Sequence, residues 1–419
     1  MSTQRHTPPK RFSRQRRSER GIALLMVLVT MAVLTAVVAE FVYQTRVEVQ
    51  MAANVRDRVK AYYLARSAIN VARFIVYLQG QLDSMMSNLP QQLKQVVGGG
   101  TIKLYQIFPI ESDLAKALTT GEIGETFGMK GLNLGDKRGF GEFDGSFHAS
   151  IEDEQSKINI NALDSIPNIA GPAAAQILTL LGNKKYAPMF ENADADGQYN
   201  TPADIVLAMH DWIDADTTID KLDPEALLRA PLSQQIGTFF ATGVSSEDSR
   251  YDTLKDPYKN KNLPFESVDE LHLIRGVTDD FMQEFGDKFT VSSDASKLIN
   301  LSSVNDPLTM LALLCSQPEN VVLCSEQKLP TLLENLALFF EYRNLMQATL
   351  FMVPDKQGMQ SFFAAQGTIL SKDFLDRTAS FSDTYSVQAQ GEVGETTVNI
   401  RTIVKNTTSG QEIMYWRVM

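Results

Sequence analysis

The most constraining feature of this 419-residue chain is an uncharged apolar run near its N-terminus. The run reads IALLMVLVTMAVLTAVVA from Ile22 to Ala39, and only Thr30 and Thr35 interrupt it. A helix of this length spans roughly 27 Å, close to the hydrocarbon thickness of a bilayer. Because the run is apolar on every side, it predicts a membrane-spanning helix rather than an amphipathic surface helix.

The charge of the chain changes sign at the start of this run. Residues 1–21 contain seven Lys or Arg and one acid, whereas the whole chain carries −11, so residues 22–419 carry −17. A basic flank stays in the cytoplasm, which sends the remainder across the membrane. The acidic body is a poor nucleic-acid binder, because phosphate contacts need clustered Lys and Arg. We therefore expect a single-pass protein that binds no nucleic acid.

Three interpretations of the N-terminus compete. A cleaved secretory signal needs small residues after the apolar run, and AVVAEF can be misread as such a site. The second interpretation is an uncleaved signal anchor. The third depends on Gly21, which lies between Arg20 and Ile22. This arrangement resembles the type III signal of type IV pilins and pseudopilins, in which the prepilin peptidase cuts after the glycine and the apolar run is kept.

The residues after the apolar run favour the third interpretation. No Pro or Gly occurs from Ile22 until Gly80, and apolar residues recur at mixed spacings of three and four, as in an amphipathic helix. The sequence therefore predicts one helix over residues 22–80, apolar in its first part and amphipathic in its second. Such a helix resembles that of pilins, and a signal anchor with a stalk helix is the alternative.

Met26 differs from the pilin pattern. Resemblance to pilins implies a Glu at the fifth residue after the cut, where its carboxylate pairs with the N-terminal ammonium of a neighbouring subunit. An unpaired carboxylate is costly in a bilayer, so an apolar residue suits a subunit that has no neighbour above it. Ile22 would still offer its own ammonium to the subunit below. The alternative is that Met26 is one more lipid-facing residue.

The remaining sequence indicates an α+β protein with an inserted helical segment. Alternating apolar residues near 147–151 and the segments 396–406 and 411–419 are typical of strands, and the last two predict a hairpin around Thr408–Ser409–Gly410. A strand is also expected within 101–110. The predicted organisation is a basic leader (1–21), a transmembrane and amphipathic helix (22–80), the first part of the α+β domain (81–156), an inserted helical domain (157–350) and C-terminal strands that complete the α+β domain (351–419).

Acidic residues concentrate in the window 191–225, which holds ten acids and one Lys. Such a density repels itself unless a cation or solvent relieves it. Hard oxygen ligands without cysteine point to Ca²⁺ rather than to a transition metal. We therefore expect a calcium site in this region.

One candidate within the window is the stretch Asn192-Ala-Asp194-Ala-Asp196-Gly197, which resembles the first half of an EF-hand loop. It departs where a bidentate acid should close the loop, since that position is Ala203 and Asp204 comes one residue late. A solvated Asx-rich turn is the alternative. The stronger candidate is Asp211-Trp212-Ile213-Asp214-Ala215-Asp216, in which Trp212 can anchor the acidic loop in the core.

These motifs and their neighbours resemble the minor pseudopilin K family of type II secretion systems. The resemblance extends over nearly the whole chain and includes the missing Glu at Met26. Two departures are Ser245, where the family has glycine, and the reduced stretch Leu301-Ser302-Ser303. The motifs that carry the resemblance are KININ (157–161), DWIDAD (211–216), SEDSRY (246–251), LPFESVDEL (263–271) and LINLSSV (298–304).

The resemblance implies a pseudopilin fold, a long N-terminal helix plus an antiparallel sheet, with a large inserted all-helical domain. It implies two nearby calcium ions and a place at the tip of the pseudopilus, where the subunit initiates or caps assembly and aids export across the outer membrane. The implied location is the inner membrane of a Gram-negative cell, with the bulk in the periplasm. The implied partners are the minor pseudopilins I and J, the major pseudopilin below and the prepilin peptidase. The implied calcium ligands are Asp211, Asp214, Asp216, Glu247 and Asp248.

Two rival functions have less support. An enzyme is disfavoured because the body contains no HExxH motif and no nucleophile elbow. His210 beside Asp211 could form a catalytic pair, but a residue at a helix end is the simpler interpretation. A DNA-uptake or type IV pilus minor pilin is the other rival, since KININ and LINLSS can be compared with helix-hairpin-helix segments. The acidic body argues against it.

The two cysteines, Cys315 and Cys324, exclude a disulfide-rich scaffold and a four-cysteine zinc site. One local disulfide and two buried thiols are both compatible with their spacing.

Overall fold

The computed structural model describes residues 20–88, 100–112, 144–193, 197–222, 240–252, 254, 256–294, 299–317, 320, 322–376 and 378–419. They belong to two compact units, Met1–Lys60 and Ala61–Met419. The helices are α1 (Arg20–Ser87), α2 (Leu104–Ile107), α3 (Pro167–Leu181), α4 (Ala187–Phe190), α5 (Pro202–Ile213), α6 (Asp279–Phe285), α7 (Pro307–Cys315), α8 (Leu329–Leu350), α9 (Lys356–Ala365) and α10 (Lys372–Asp376). The strands are β1 (Gly100–Thr101), β2 (Ile110–Glu111), β3 (Ser146–Asp153), β4 (Ile158–Asn159), β5 (Thr218–Leu222), β6 (Phe240–Ser246), β7 (Phe289–Thr290), β8 (Ile299–Asn300), β9 (Val353–Pro354), β10 (Thr378–Ala379), β11 (Thr384–Val393), β12 (Thr396–Thr407) and β13 (Gly410–Val418).

The described part of the first unit is the N-terminal portion of α1. Its apolar side chains are exposed from Ile22 onward, and α1 is the one helix among the described residues that is long and apolar enough to cross a membrane. The two hydroxyls in the apolar run donate to carbonyls of the preceding turn, Thr30 to Met26 O at 2.9 Å and Thr35 to Met31 O at 2.7 Å. Both hydroxyls are therefore satisfied within the helix, as a lipid environment requires.

Helix α1 ends later than the sequence predicts. The predicted end at Gly80 is wrong, since α1 continues to Ser87. One glycine weakens a helix by only about 1 kcal/mol. A Cβ at residue 80 would lie 3.0 Å from Asn406 Nδ2, and that amide donates to Val76 O at 3.0 Å. Gly80 thus leaves room for a side chain of β12 to bind the helix backbone.

The second unit contains a five-stranded antiparallel sheet in the order β13-β12-β11-β3-β2. Alternate residues of β3 are buried, as the sequence pattern predicts. The C-terminal hairpin is confirmed, with β12 ending at Thr407 and β13 beginning at Gly410, where φ is +140°. The central strand, β11, lies within the segment 351–419 that is predicted as strands, although no sequence pattern predicts its bounds.

The C-terminal part of α1 packs on this sheet through small residues. Ala61, Ala65, Ala68 and Ala72 are fully buried in one apolar core with side chains of β3, β11 and β12. A Cβ at Gly391 of β11 would lie 2.1 Å from Ala61 O and 2.6 Å from Ala65 N. Such separations are far below van der Waals contact, so only glycine fits where the helix passes this strand.

A long segment is inserted between two neighbouring strands of the sheet. Strand β3 ends at Asp153 and β11 begins at Thr384, yet the two pair along their length. The chain between them builds two further apolar cores. The first gathers side chains of α3, α5 and α6, and the second gathers side chains of α7, α8, α9 and α10.

The predicted fold class, a long N-terminal helix plus an antiparallel sheet, is confirmed. The inserted segment is mostly helical, but the expectation that it is all-helical is wrong. Strand β4 pairs with β7 in parallel, and β5 pairs with β6 in antiparallel. These strands are two to seven residues long, too short for their alternation to stand out beside the helical pattern. The predicted domain limits at residues 156 and 350 stay predictions.

Buried polar contacts join the inserted segment to the sheet. At the end of β3, Asp153 Oδ2 accepts from Asn300 Nδ2 at 2.9 Å and from Ser382 Oγ at 2.6 Å. Nearby, the buried Lys103 donates from Nζ to Ser380 O at 3.0 Å. Because buried polar groups are costly when unpaired, these contacts fix how the segment leaves and rejoins the sheet.

Two further segments differ from the prediction. The expected strand within 101–110 is broken into β1, α2 and β2, because a short apolar run does not distinguish a strand from a buried turn of helix. The C-terminal segment 351–419, expected as strands, also contains the helices α9 and α10, which follow the two-residue strand β9. Asp355 caps α9 by accepting from the backbone of Gln357 and Gly358, which is a local helix signal.

The cysteine pairing is settled by the structure. Cys315, the last residue of α7, forms a disulfide with Cys324. Both residues adjoin the second apolar core of the inserted segment. The bond closes the loop that follows α7.

We predict that Gly391→Ala destabilises the protein by about 1–3 kcal/mol, because a methyl group there must push α1 away from β11. Gly286→Ala is the matched control, since a Cβ there meets only Met282 Cε at 3.5 Å. Denaturant unfolding of both variants measures the effect. Equal midpoints for the two variants would contradict the close approach of α1 and β11.

Candidate metal centre

Helix α5 positions the first residues of the site. Its N-terminus is fixed by a capping box between Thr201 and Asp204. Asp204 is therefore engaged as a cap, with Oδ2 2.9 Å from Thr201 N. The helix ends at Ile213, and Asp214 N donates to His210 O at 3.0 Å. The last turn of α5 thus places His210, Asp211 and Asp214 side by side.

A hairpin and a turn bring the other acids to this helix end. Strands β5 and β6 pair with each other. Asp220, on β5, lies near the end of α5, where its backbone N donates to Asp211 Oδ1 at 3.1 Å. The 3-10 turn Glu247–Arg250 follows β6, and Glu247 N donates to Thr217 O at 3.3 Å. Residues more than thirty positions apart in the sequence therefore meet at one place.

The side chains form two groups that share Asp214. The first contains Asp214, Asp216 and Glu247, and the second contains His210, Asp211, Asp214 and Asp220. Within each group, one potential ligand atom per residue lies within 4.8 Å of all the others. All of these residues are buried except Asp216.

The first group fits a calcium ion. Its donors are carboxylate oxygens, which Ca²⁺ prefers. Asp214 Oδ1 and Glu247 Oε1 are buried without a hydrogen-bond partner among the described residues. A buried unpaired carboxylate is costly, and a cation between these oxygens would relieve both. Three carboxylates, with backbone oxygens or water completing the shell, would hold the ion.

The second group fits calcium less well, because His210 contributes a nitrogen. His210 Nδ1 lies 3.1 Å from Asp220 Oδ2 and 3.4 Å from Asp214 Oδ2. Asp211 is partly occupied in this group, since its Oδ1 accepts from Asp220 N at 3.1 Å and its Oδ2 lies 3.1 Å from Arg250 Nη2.

The electrostatics reflect mutual repulsion of buried carboxylates. Burial raises the pKa of Asp214 to about 8, and the negative charges of Glu247 and Asp216 add to the shift. Burial likewise raises the pKa of Asp211 to about 7, and it raises the pKa of Glu247. Asp216 differs, because hydrogen bonds from the backbone and hydroxyl of Thr218 lower the pKa of its carboxyl. Without a cation, Asp214 and a fraction of Asp211 therefore hold a proton near neutral pH.

A single asparagine organises the surrounding loop. Asn260 Nδ2 donates to Glu247 Oε2 at 3.0 Å and to Asp211 O at 3.1 Å. Its backbone N donates to Asp248 Oδ1 at 3.3 Å, and Asp248 Oδ2 lies 3.4 Å from Lys259 Nζ. Asp248 is thus held beside the site by other partners and belongs to neither group.

Of the five ligands implied by the resemblance, the structure brings together Asp211, Asp214, Asp216 and Glu247. Sequence reasoning missed Asp220, and it did not place His210 among the metal-binding residues. The signal for His210 is its spacing of four from Asp214 on a helix, which puts both on one face. Asp220 reaches the site through the pairing of β5 with β6, a long-range contact that no local sequence pattern indicates. Trp212, between the acids, lies in the first core of the inserted segment.

Of the three candidates in the EF-hand-like stretch, the described one, Asn192, belongs to neither group. Asn192 is exposed and its Nδ2 donates to Pro188 O at 3.0 Å. Asp194 and Asp196 lie outside the described residues. The closing position is Ala203, and the next residue, Asp204, is engaged in the capping box of α5.

The asparagines of the KININ and LINLSSV motifs have structural partners. Asn161 Nδ2 donates to Phe265 O at 3.0 Å, and Phe265 N donates to Asn161 Oδ1 at 2.8 Å. Asn159 Nδ2 donates to the hydroxyl and the carbonyl oxygen of Ser293, and Asn300 holds Asp153 as described above. These amides tie distant loops together, which gives them a structural role.

The N-terminal candidates lie on α1. Gly21, Ile22 and Met26 are helical and exposed. A Cβ at Gly21 would meet no atom within 4 Å, so packing among the described residues does not require a glycine there. Cleavage between Gly21 and Ile22 stays a prediction.

No protein-family model and no curated protein matches the chain. Among solved structures, the chain is similar to one from the crystal structure of the GspK-GspI-GspJ complex of the enterotoxigenic Escherichia coli Type 2 Secretion System. The two are 14% identical, the match covers 73% of this chain and 97% of that chain, and the TM-score is 0.43.

We predict that calcium stabilises the protein more strongly as the pH rises. Asp211 and Asp214, with pKa values raised to about 7 and about 8, bind protons in the folded state that the unfolded chain has lost above about pH 4. The stability of the calcium-free protein should therefore fall as the pH rises through 7 and 8. Calcium replaces these protons, so its stabilisation should grow over the same range, reaching about 2.7 kcal/mol at a hundredfold excess over the Kd.

Melting curves at pH 5.5 and 8.5, with calcium or with chelator, measure this effect. Glu247→Gln should remove most of the calcium response, and Glu266→Gln, whose carboxylate is exposed, is the matched control. Identical melting with calcium and with chelator at pH 8.5 would contradict the calcium site.

Proposed function

We propose that this protein is a membrane-anchored minor pseudopilin of the K type, placed at the tip of a type II secretion pseudopilus. The observation that carries the proposal is α1. Its uncharged first part has the length of a membrane span, and its last part, from Ala61, packs on an antiparallel sheet. A helix that serves both as an anchor and as the spine of a small sheet domain is the subunit design that the pilin resemblance implies.

The size of the insertion supports a terminal position. The segment between Asp153 and Thr384 builds two apolar cores of its own, although the strands that flank it are neighbours. A helical fibre packs its subunits around a shared axis and leaves little room beside each one. A subunit with so large an insertion is most easily accommodated at an end.

Met26 supports the same position. A carboxylate at that place would need the ammonium of a neighbour above, because an unpaired charge in the bilayer is costly. An apolar side chain removes the requirement. After cleavage, the ammonium of Ile22 would serve the major pseudopilin below, so the subunit would bind on one side only.

The metal centre would stabilise the inserted segment. We propose that Ca²⁺ binds Asp214, Asp216 and Glu247, with Asp211 and Asp248 in supporting positions. The ion would link the end of α5 to the turn after β6, in addition to the contact of Arg250 with Asp211. In the periplasm, where we place the body of the protein, this would hold the inserted segment in one shape for binding the minor pseudopilins I and J.

The proposal assigns no catalytic role and no nucleic-acid partner. The buried His210 lies among carboxylates, and the acidic body repels phosphate. The engaged asparagines of KININ and LINLSSV give no support to a DNA-uptake minor pilin with helix-hairpin-helix segments.

The function is tested by expressing the full chain in cells that contain the prepilin peptidase and the minor pseudopilins I and J. We expect the isolated protein to begin at Ile22 and to co-purify with I and J. Gly21→Val should leave the leader attached. Ala39→Val is the matched control, since it would block only a secretory cut after the apolar run and should change nothing here.

Two results would contradict the proposal. One is an N-terminus near residue 40, which would indicate a secretory signal. The other is a correctly cut protein that binds neither I nor J while both are present in the membrane.

A further inference from the structure

The imidazole of His210 is an unusual donor for a calcium-binding region. It lies at the end of α5, is 8% exposed, and faces two carboxylates. Its Nδ1 is 3.1 Å from Asp220 Oδ2 and 3.4 Å from Asp214 Oδ2, yet it has no hydrogen bond of acceptable geometry to any described residue. A buried ring nitrogen that faces two oxygens without a hydrogen bond is arranged like a metal ligand.

Neighbouring residues hold these donors in place. The ring of Phe240 stacks on the imidazole, with the centroids 3.7 Å apart and the planes 14° from parallel. Asp211 Oδ1 accepts from Asp220 N at 3.1 Å and so fixes the backbone of that ligand. Arg250 in turn holds Asp211 through a contact of 3.1 Å. Ligands supported in this way are typical of built metal sites.

The distances suit a small, four-coordinate ion. Two donors that each lie about 2.0–2.1 Å from a tetrahedral Zn²⁺ are about 3.3–3.4 Å from each other. The measured nitrogen-to-oxygen separations of 3.1 and 3.4 Å lie near this value. Imidazole nitrogen is a regular ligand of zinc and its neighbours in the first transition row, whereas Ca²⁺ takes oxygen ligands.

We propose that His210, Asp214 and Asp220 bind a first-row transition metal ion of the Zn²⁺ type, with Asp214 shared between this ion and the calcium ion bound by Asp216 and Glu247. Three protein ligands leave a fourth position for water or for a second oxygen. The family resemblance implies two calcium ions. At one of the two positions the imidazole nitrogen of His210 is among the donors, and this nitrogen favours a transition metal ion over calcium. These three donors would bind the ion wherever the subunit lies in a fibre.

The test is a titration of the full-length protein in detergent with Zn²⁺, after removal of metals and in the presence of excess Ca²⁺. We expect the wild type to bind one equivalent of Zn²⁺. His210→Gln removes one of the three ligands and should weaken Zn²⁺ binding by at least the roughly 10–100-fold that the loss of an outer-shell partner costs. Asp220→Asn should also weaken it, whereas stabilisation by Ca²⁺ should persist in both variants.

A control and a second probe separate this site from surface histidines and from misfolding. The variant with both His148→Gln and His272→Gln removes two exposed histidines and should bind Zn²⁺ as the wild type does. Substitution with Co²⁺ should give the intense visible absorption of a four-coordinate site, and His210→Gln should lose it. Retained stabilisation by calcium in His210→Gln shows that this variant is folded.

Two results would overturn the inference. One is a wild-type protein that binds Ca²⁺ but no Zn²⁺ in the presence of Ca²⁺. The other is a folded His210→Gln variant whose Zn²⁺ affinity equals that of the wild type. Both are independent of N-terminal processing and of binding to the pseudopilins I and J, so they leave the proposed function standing.

Discussion

The close approach of α1 to β11 is the constraint on which the second unit depends. Gly391 leaves space for the backbone of Ala61 and Ala65, and the buried alanines of α1 carry no large side chain that would separate helix and sheet. The central strand is thus fixed to the helix. Since β11 also pairs with β3 and β12, its position sets the order of the sheet. The inserted segment then has to leave after Asp153 and return before Thr384.

The inserted segment brings acidic residues from several short elements to one site, without a large sheet to hold them. The end of α5, the hairpin β5–β6 and the turn after it supply one to three residues each, and the first apolar core supports all three elements. Trp212 anchors the helix end, with its ring centroid 5.8 Å from that of Tyr251. This packing keeps the carboxylates of Asp214 and Glu247 close together. They repel each other when both are charged, and a bound cation would relieve that repulsion.

Much of this architecture can be predicted from local patterns. The apolar run from Ile22, the alternation in β3 and the C-terminal hairpin are periodic over enough residues to be unambiguous. The acidic motif DWIDAD also identifies the region of the site. The central position of β11, the pairing of Asp220 with His210, and the buried contact of Asn300 with Asp153 could not be predicted, because each depends on residues that meet only after the chain has folded. The pairing of Cys315 with Cys324 was likewise open, since spacing alone permits both a bond and two thiols.

The central claim is that an anchored subunit with a large, metal-stabilised insertion occupies the end of a fibre. Labelling with an antibody against the inserted segment, viewed by electron microscopy on pseudopili assembled with an excess of the major pseudopilin, tests this claim most directly. The account predicts label at one end of each fibre. Label at regular intervals along the shaft would contradict it.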